Sequence, residues 1–197
     1  MADTLILAIH SVNKRSLCSF LLYERMRWTV NVTQPMPAKF VACMAPHTSN
    51  WDFVIGILYS RAEGIRMNFL MKHEWFVGPL DKFFHRLGGI PVWREKHTSM
   101  TDVLAEEAAN AASFRLCVTP EGTRKRNPDW KRGFYYIALK AHIPILLFGL
   151  DYKKRVVQCT KTVIPSGDYD SDIRIIKDYY KDFVARHPEN FTIGDDA

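Results

Sequence analysis

His47 and Asp52 are separated by four residues in Ala45-Pro46-His47-Thr48-Ser49-Asn50-Trp51-Asp52, and their types suit general-base catalysis. A neutral imidazole takes a proton near neutral pH, while a carboxylate behind it holds the tautomer and stabilises the imidazolium. On one continuous helix the two would lie about 140° apart around the axis, so they meet only if His47 is in a loop and Asp52 in the first helical turn. Pro46 and the cap-forming Ser49 and Asn50 favour that arrangement. The same residues have a plainer meaning, because Ser49-x-x-Asp52 is also a capping box in which Asp52 satisfies backbone N–H groups. As a cap alone, Asn would serve nearly as well as Asp, with little change in stability. Chance supplies such pairs, and a second one, His97 to Asp102, follows the charged Arg94-Glu95-Lys96. There, Ser99 to Asp102 reads as a plain helix cap.

A second group of polar residues follows an apolar run in Arg115-Leu-Cys-Val-Thr-Pro120-Glu121-Gly122-Thr123-Arg124. Pro120 and Gly122 set a turn; Glu121, Thr123 and Arg124 then offer an acceptor, a hydroxyl and a guanidinium able to grip a phosphate bidentately. Arg124, Lys125, Arg126, Lys131 and Arg132 extend this into a basic strip, readable as a solvated face or as a nucleic-acid footprint. A third segment, Gly88-Gly89-Ile90-Pro91-Val92-Trp93-Arg94, ends a helix on a glycine cap and runs through a short strand to one arginine. The histidines are scattered without metal-ligand spacing, so no metal is expected.

These groups need a scaffold, and periodicity supplies one. Strand-like runs cover Phe40 to Ala45, Met67 to Met71, Ile90 to Trp93, Arg115 to Thr119, Ile143 to Tyr152 and Val156 to Ile164. Helical stretches lie between them at Trp51 to Glu63, Pro79 to Leu87, Met100 to Ala112 and Phe134 to Ala141, with a last helix from Ser171 to Arg186. Alternating strands and helices predict an α/β sandwich with a largely parallel central sheet flanked by helices, and such sheets bind ligands beyond the carboxyl ends of their strands. The first 28 residues read as an imperfect amphipathic helix, packed on the core or lying on a membrane surface.

The chain has 197 residues, 47% of them hydrophobic and 24% charged, which fits a single domain over residues 1–197 and excludes disorder and collagen-like repeats. Its longest apolar run, Ile143 to Leu150, is far shorter than the about 20 residues of a spanning helix. Lys and Arg number 27 against 21 Asp and Glu, a net charge of +6 that favours anionic partners: phosphate esters, anionic lipid or nucleic acid. Cys18, Cys43, Cys117 and Cys159 form no C-x-x-C pair and sit in apolar stretches, as buried thiols of a reducing compartment do. The chain is accordingly expected in the cytoplasm.

Taken together and in order, these segments resemble the glycerolipid acyltransferases typified by 1-acyl-sn-glycerol-3-phosphate acyltransferase. His47, Ser49 and Asp52 look like the family's His-x-Ser-x-x-Asp block, and Gly88, Ile90, Val92 and Arg94 are similar to its second block. Pro120, Glu121, Gly122, Thr123 and Arg124 match its Pro-Glu-Gly-Thr-Arg block, and Ile143 to Leu146 match its fourth more loosely. Trp93, where many members have a small acid, and Leu147, where many have a second proline, depart from the pattern and bear on the acceptor. The resemblance implies acyl transfer from acyl-CoA or acyl carrier protein to a lysophospholipid hydroxyl, 1-acylglycerol 3-phosphate first, with no cofactor. His47 would be the base and Asp52 its orienting acid. Arg94 and Arg124 would hold the acceptor phosphate, while Glu121 and Thr123, around Gly122, would fix its glycerol end and the turn. It also implies peripheral attachment to the anionic inner face of a membrane and no nucleic-acid partner. Two alternatives stay open: another lyso-lipid acceptor such as an amine-headed one, and a phosphate- or nucleic-acid-binding module without catalysis.

Overall fold

The computed structural model describes residues 17–93 and 100–194. One seven-stranded sheet runs through them: β1 (Thr29–Val32), β2 (Lys39–Met44), β3 (Asn68–Lys72), β4 (Gly89–Val92), β5 (Phe114–Val118), β6 (Ile145–Asp151) and β7 (Val156–Val163). Their spatial order is β1-β7-β6-β2-β5-β3-β4. The five strands β2 to β6 are mutually parallel, β7 returns antiparallel to β6, and β1 closes the edge parallel to β7. The sheet is therefore mixed but mostly parallel. The helices are α1 (Leu17–Ser19), continued by a wider turn over Phe20–Arg25, α2 (Asn50–Ala62), α3 (Pro79–Leu87), α4 (Met100–Asn110), α5 (Gly133–Ala141) and α6 (Tyr169–Tyr180).

The central strands show why the sheet is sandwiched. Alternate residues of a strand point to opposite faces: Val41 and Cys43 of β2, with Ala45 just after it, join one apolar cluster while Phe40, Ala42 and Met44 join another. The first cluster takes Leu104 and Ala108 of α4, Phe134 and Ile137 of α5, and Ile176 and Tyr180 of α6. The second takes Leu22, Trp28, and Ile55 and Tyr59 of α2. β6 is buried along its whole length, as a strand covered on both faces must be. Tyr180 adds a directed bond, its hydroxyl donating to the Cys43 carbonyl at 2.6 Å, which fixes β2 just before the His47 loop.

Two elements differ from the sequence expectation. The last helix stops at Tyr180 rather than Arg186. Phe183 and Ala185 are buried, and the Val184 carbonyl accepts the Tyr152 N–H at 2.8 Å, so that apolar spacing is spent on packing over β6. β1 carries no apolar run because it is an edge strand with three exposed residues. Of the predicted N-terminal helix only residues from Leu17 are described; there Leu22 is fully buried while Leu17 and Phe20 are exposed.

Candidate active site

β2 and β5 are neighbours, with Cys43 beside Val118, so their carboxyl ends place the His47 loop against the Pro120 turn. The Ala45–Pro46 peptide is cis, and His47 follows it before the helix begins. Ser49 is the N-cap of α2: its side chain accepts the Trp51 N–H at 3.2 Å, and Asp52 completes a capping box. The capping-box reading of the Ser49-x-x-Asp52 spacing is therefore what the backbone shows.

Asp52 is only 3% exposed, and burial of a carboxylate demands partners. Its Oδ2 accepts the N–H groups of Thr48 and Ser49, each at 2.8 Å. Its Oδ1 accepts the Tyr152 hydroxyl at 2.5 Å. Burial first, then that carboxylate, push the Tyr152 phenol up, so it remains a donor. His47 Nδ1 comes within 3.2 Å of Oδ2, in ion-pair range, yet Nδ1 completes no aligned hydrogen bond among the described residues. Nδ1 faces the acid, so Nε2 is the nitrogen left to meet a reacting hydroxyl.

Glu121 holds the loop from the other side. The His47 N–H donates to its Oε1 at 2.8 Å, while Oε2 finds no hydrogen-bond partner among the described residues. Burial raises its carboxyl to about 7, opposed by the His47 N–H and the imidazole. Gly122 takes φ +65°, a left-handed conformation that suits glycine, and a Cβ there would meet Lys131 Cγ at 3.1 Å. Asn127 closes the turn by donating to the Glu121 carbonyl at 2.8 Å, and Lys131 N–H reaches the Pro120 carbonyl at 2.7 Å. Thr123 and Arg124 face solvent; Thr123 Oγ1 accepts the Lys125 N–H at 3.2 Å, and the Arg124 guanidinium donates to the Asn50 side chain at the start of α2. Arg94 and His97 lie outside the described residues, as does Ser99. The β4 exit that leads to Arg94 sits at the sheet edge, separated from β5 by β3.

The structure adds residues that the sequence patterns did not single out. Tyr152 stands just after β6, the strand on the other side of β2, and the carboxyl-end rule applied to β6 would have pointed to it. Its ring packs edge-on against Trp28, centroids 5.2 Å apart. Arg186 covers both Trp51 and Tyr152, at 5.3 and 5.9 Å from the ring centroids. His187 N–H donates to Thr48 Oγ1 at 3.2 Å, so the segment after α6 clamps the loop.

All four cysteines are free thiols, and burial pushes Cys43 far up and Cys117 and Cys159 to about 12. These three are therefore poor nucleophiles at neutral pH. Among the described residues no cluster of His, Cys, Asp and Glu could hold a metal ion.

A histidine beside a buried carboxylate that accepts three hydrogen bonds, at the carboxyl end of an α/β sheet, is an arrangement able to move a proton. The chain belongs to the acyltransferase family, whose profile matches residues 27–149, more than half its length. Among solved structures it is similar to PlsC, the 1-acyl-sn-glycerophosphate (LPA) acyltransferase of Thermotoga maritima. The TM-score is 0.55, with 16% identity over 89% of this chain and 86% of that one, a likeness of fold. No curated protein sequence matches the chain.

Proposed function

We propose that this acyltransferase moves a fatty acyl group from a thioester, acyl-CoA or acyl carrier protein, to the free hydroxyl of a lysophospholipid, with 1-acylglycerol 3-phosphate as the preferred acceptor. The observation that carries the reading is the His47–Asp52 pair, 3.2 Å apart, with Asp52 locked by three further hydrogen bonds. His47 Nε2 takes the acceptor's hydroxyl proton as that oxygen attacks the thioester carbonyl. The C–S bond then breaks, and the departing thiolate recovers the proton from the imidazolium. Asp52 orients the ring and stabilises its charged form, Tyr152 holds Asp52, and Glu121 holds the His47 loop.

Arg124 is the described residue best suited to the acceptor phosphate, being an exposed guanidinium beside the loop that carries His47. Arg94 is proposed as its companion on sequence grounds. Thr123 and the turn around Gly122 would contact the glycerol end. No described helix is long and apolar enough to cross a membrane, so access to a lipid acceptor is proposed to be peripheral, through an anionic surface that complements the charge of +6.

The test is incubation with labelled acyl-CoA and acyl carrier protein against a panel of lyso-lipids, with the product identified by mass spectrometry. Acylated product forming first from the phosphate-headed acceptor supports the reading. Preference for an amine-headed acceptor would replace the substrate, and no release of thiol with any acceptor would overturn the activity.

A further inference from the structure

The chain holds five tryptophans, and they divide sharply by place. Trp28 and Trp130 are core residues, each 5% exposed, whereas Trp51, Trp75 and Trp93 are 45%, 53% and 42% exposed. Each of the exposed three follows the carboxyl end of a parallel strand. Trp51 opens α2 after β2, Trp75 ends the short turn after β3, and Trp93 comes directly after β4. Strands β2, β5, β3 and β4 run in one direction, so all three indoles stand at the end of the sheet where His47 and Glu121 lie.

The apolar surface continues from Trp75 through Val77 into α3, where Leu80 and Phe83 are also exposed. α3 has no buried residue at all. Leu80, Phe83, Phe84 and Leu87 recur at helical spacing on one face, and Lys82 and Arg86 occupy the opposite face with His85. Its acid, Asp81, is engaged by His85 at 3.2 Å, and Glu74 is the other acid of the segment. Arg124, Lys125, Lys131 and Arg132 are exposed beyond β5, at that same end of the sheet. Indoles in water beside basic side chains are costly for a surface that meets only solvent; at a bilayer interface rings of this kind sit in the headgroup layer while cations meet anionic lipid.

We propose that Trp75, Val77, Leu80 and Phe83, with Trp51 and Trp93 on the rim, dock the carboxyl end of the sheet onto an anionic lipid bilayer, so that the acceptor reaches His47 without leaving the membrane. The proposal rests on the lipid-acceptor reading and adds where the membrane meets the protein. The charge complement and the position of the indoles around the catalytic end select a lipid surface as the occupant.

The test uses full-length protein and vesicles of phosphatidylcholine and phosphatidylglycerol in equal parts. Binding is followed by sedimentation and by quenching of tryptophan fluorescence with brominated acyl chains. The Trp75→Ser/Leu80→Ser variant is expected to bind at least about tenfold more weakly, with unchanged turnover of a short-chain, monomeric acceptor in solution. Lys82→Glu/Arg86→Glu, which spares the apolar face and so keeps the test alive if the first variant fails to fold, should lose binding most strongly at low salt. Wild-type binding by both variants would overturn the proposal. So would loss confined to Leu17→Ser/Phe20→Ser, which would place the contact on the N-terminal helix. Unchanged vesicle binding with slower turnover only when acyl carrier protein is the donor would overturn it in favour of a protein contact. Vesicle binding lost by the variants, in a protein that turns over no acceptor, would support the docking and overturn acyl transfer instead.

Discussion

Asp52 accepts three hydrogen bonds on two oxygens while standing 3.2 Å from His47 Nδ1, so Asn at this position can keep the cap but not the charge. An amide has one accepting oxygen, which can take the Thr48 and Ser49 N–H groups while its NH2 turns to Tyr152, whose hydroxyl oxygen then accepts instead of donating. Asp52→Asn is expected to change stability by less than about 1 kcal/mol and to lose turnover, because an amide stabilises no imidazolium; unchanged turnover and melting temperature would leave Asp52 a structural residue only. Tyr152→Phe is the cleaner probe, because the ring keeps its contact with Trp28 and only the donor to Asp52 is lost. It should cost about 1.5–3 kcal/mol, and turnover should fall with it, as Asp52 loses its anchor. Glu121 predicts a pH effect. Its folded-state value of about 7 lies above the ordinary 4.5, so the folded protein holds this proton more tightly than the unfolded chain. Stability from this group is complete below pH 4.5 and is lost as pH rises through about 7. Glu121→Gln removes the titration, and its stability relative to the native protein should rise by up to about 3 kcal/mol across that window. Denaturant melts on both sides of it check this, and parallel curves would refute it.

β6 and the segment after α6 meet at Gly149, where a Cβ would lie 2.1 Å from Phe183 Cε1. Neither an aromatic ring at 9% exposure nor the strand can yield that far, so Gly149→Ala should destabilise the protein by about 1–3 kcal/mol or more through overpacking. Because Tyr152 N–H bonds the Val184 carbonyl in the same contact, some loss of turnover should accompany it; a stable, fully active variant would contradict this account of the segment. The same contact explains what the sequence did and did not reveal. Apolar runs such as Phe40 to Ala45 mark the buried strands because both faces are covered, and the capping letters mark α2. Phe183 and Ala185 keep helical spacing without helical backbone, since tertiary packing alone sets it, and β1 has no buried face to leave a pattern. His47, Asp52 and the Pro120 turn were legible as strand exits. Tyr152 and Arg186 were not singled out, because their partners are distant in sequence and only the sheet order brings them together.

Across the whole molecule, β5, β2 and β6 stand side by side and deliver Glu121, His47 and Tyr152 to one end, where exposed indoles and the basic residues around Arg124 also gather. The sheet thus brings together the proposed base, its orienting acid and their supports, while the opposite edge, β7 and β1, closes the second core. That convergence is the ground on which we propose the first His–Asp pair, rather than His97 and Asp102, as the catalytic one, although both have the same spacing. Turnover of acyl-CoA and 1-acylglycerol 3-phosphate by the native protein, His47→Ala and His97→Ala, each checked for an unchanged melting temperature, tests the assignment most directly. Loss of the general base should lower the rate of His47→Ala by about 10²- to 10⁴-fold and leave His97→Ala nearly intact; equal rates in the two folded variants would contradict it.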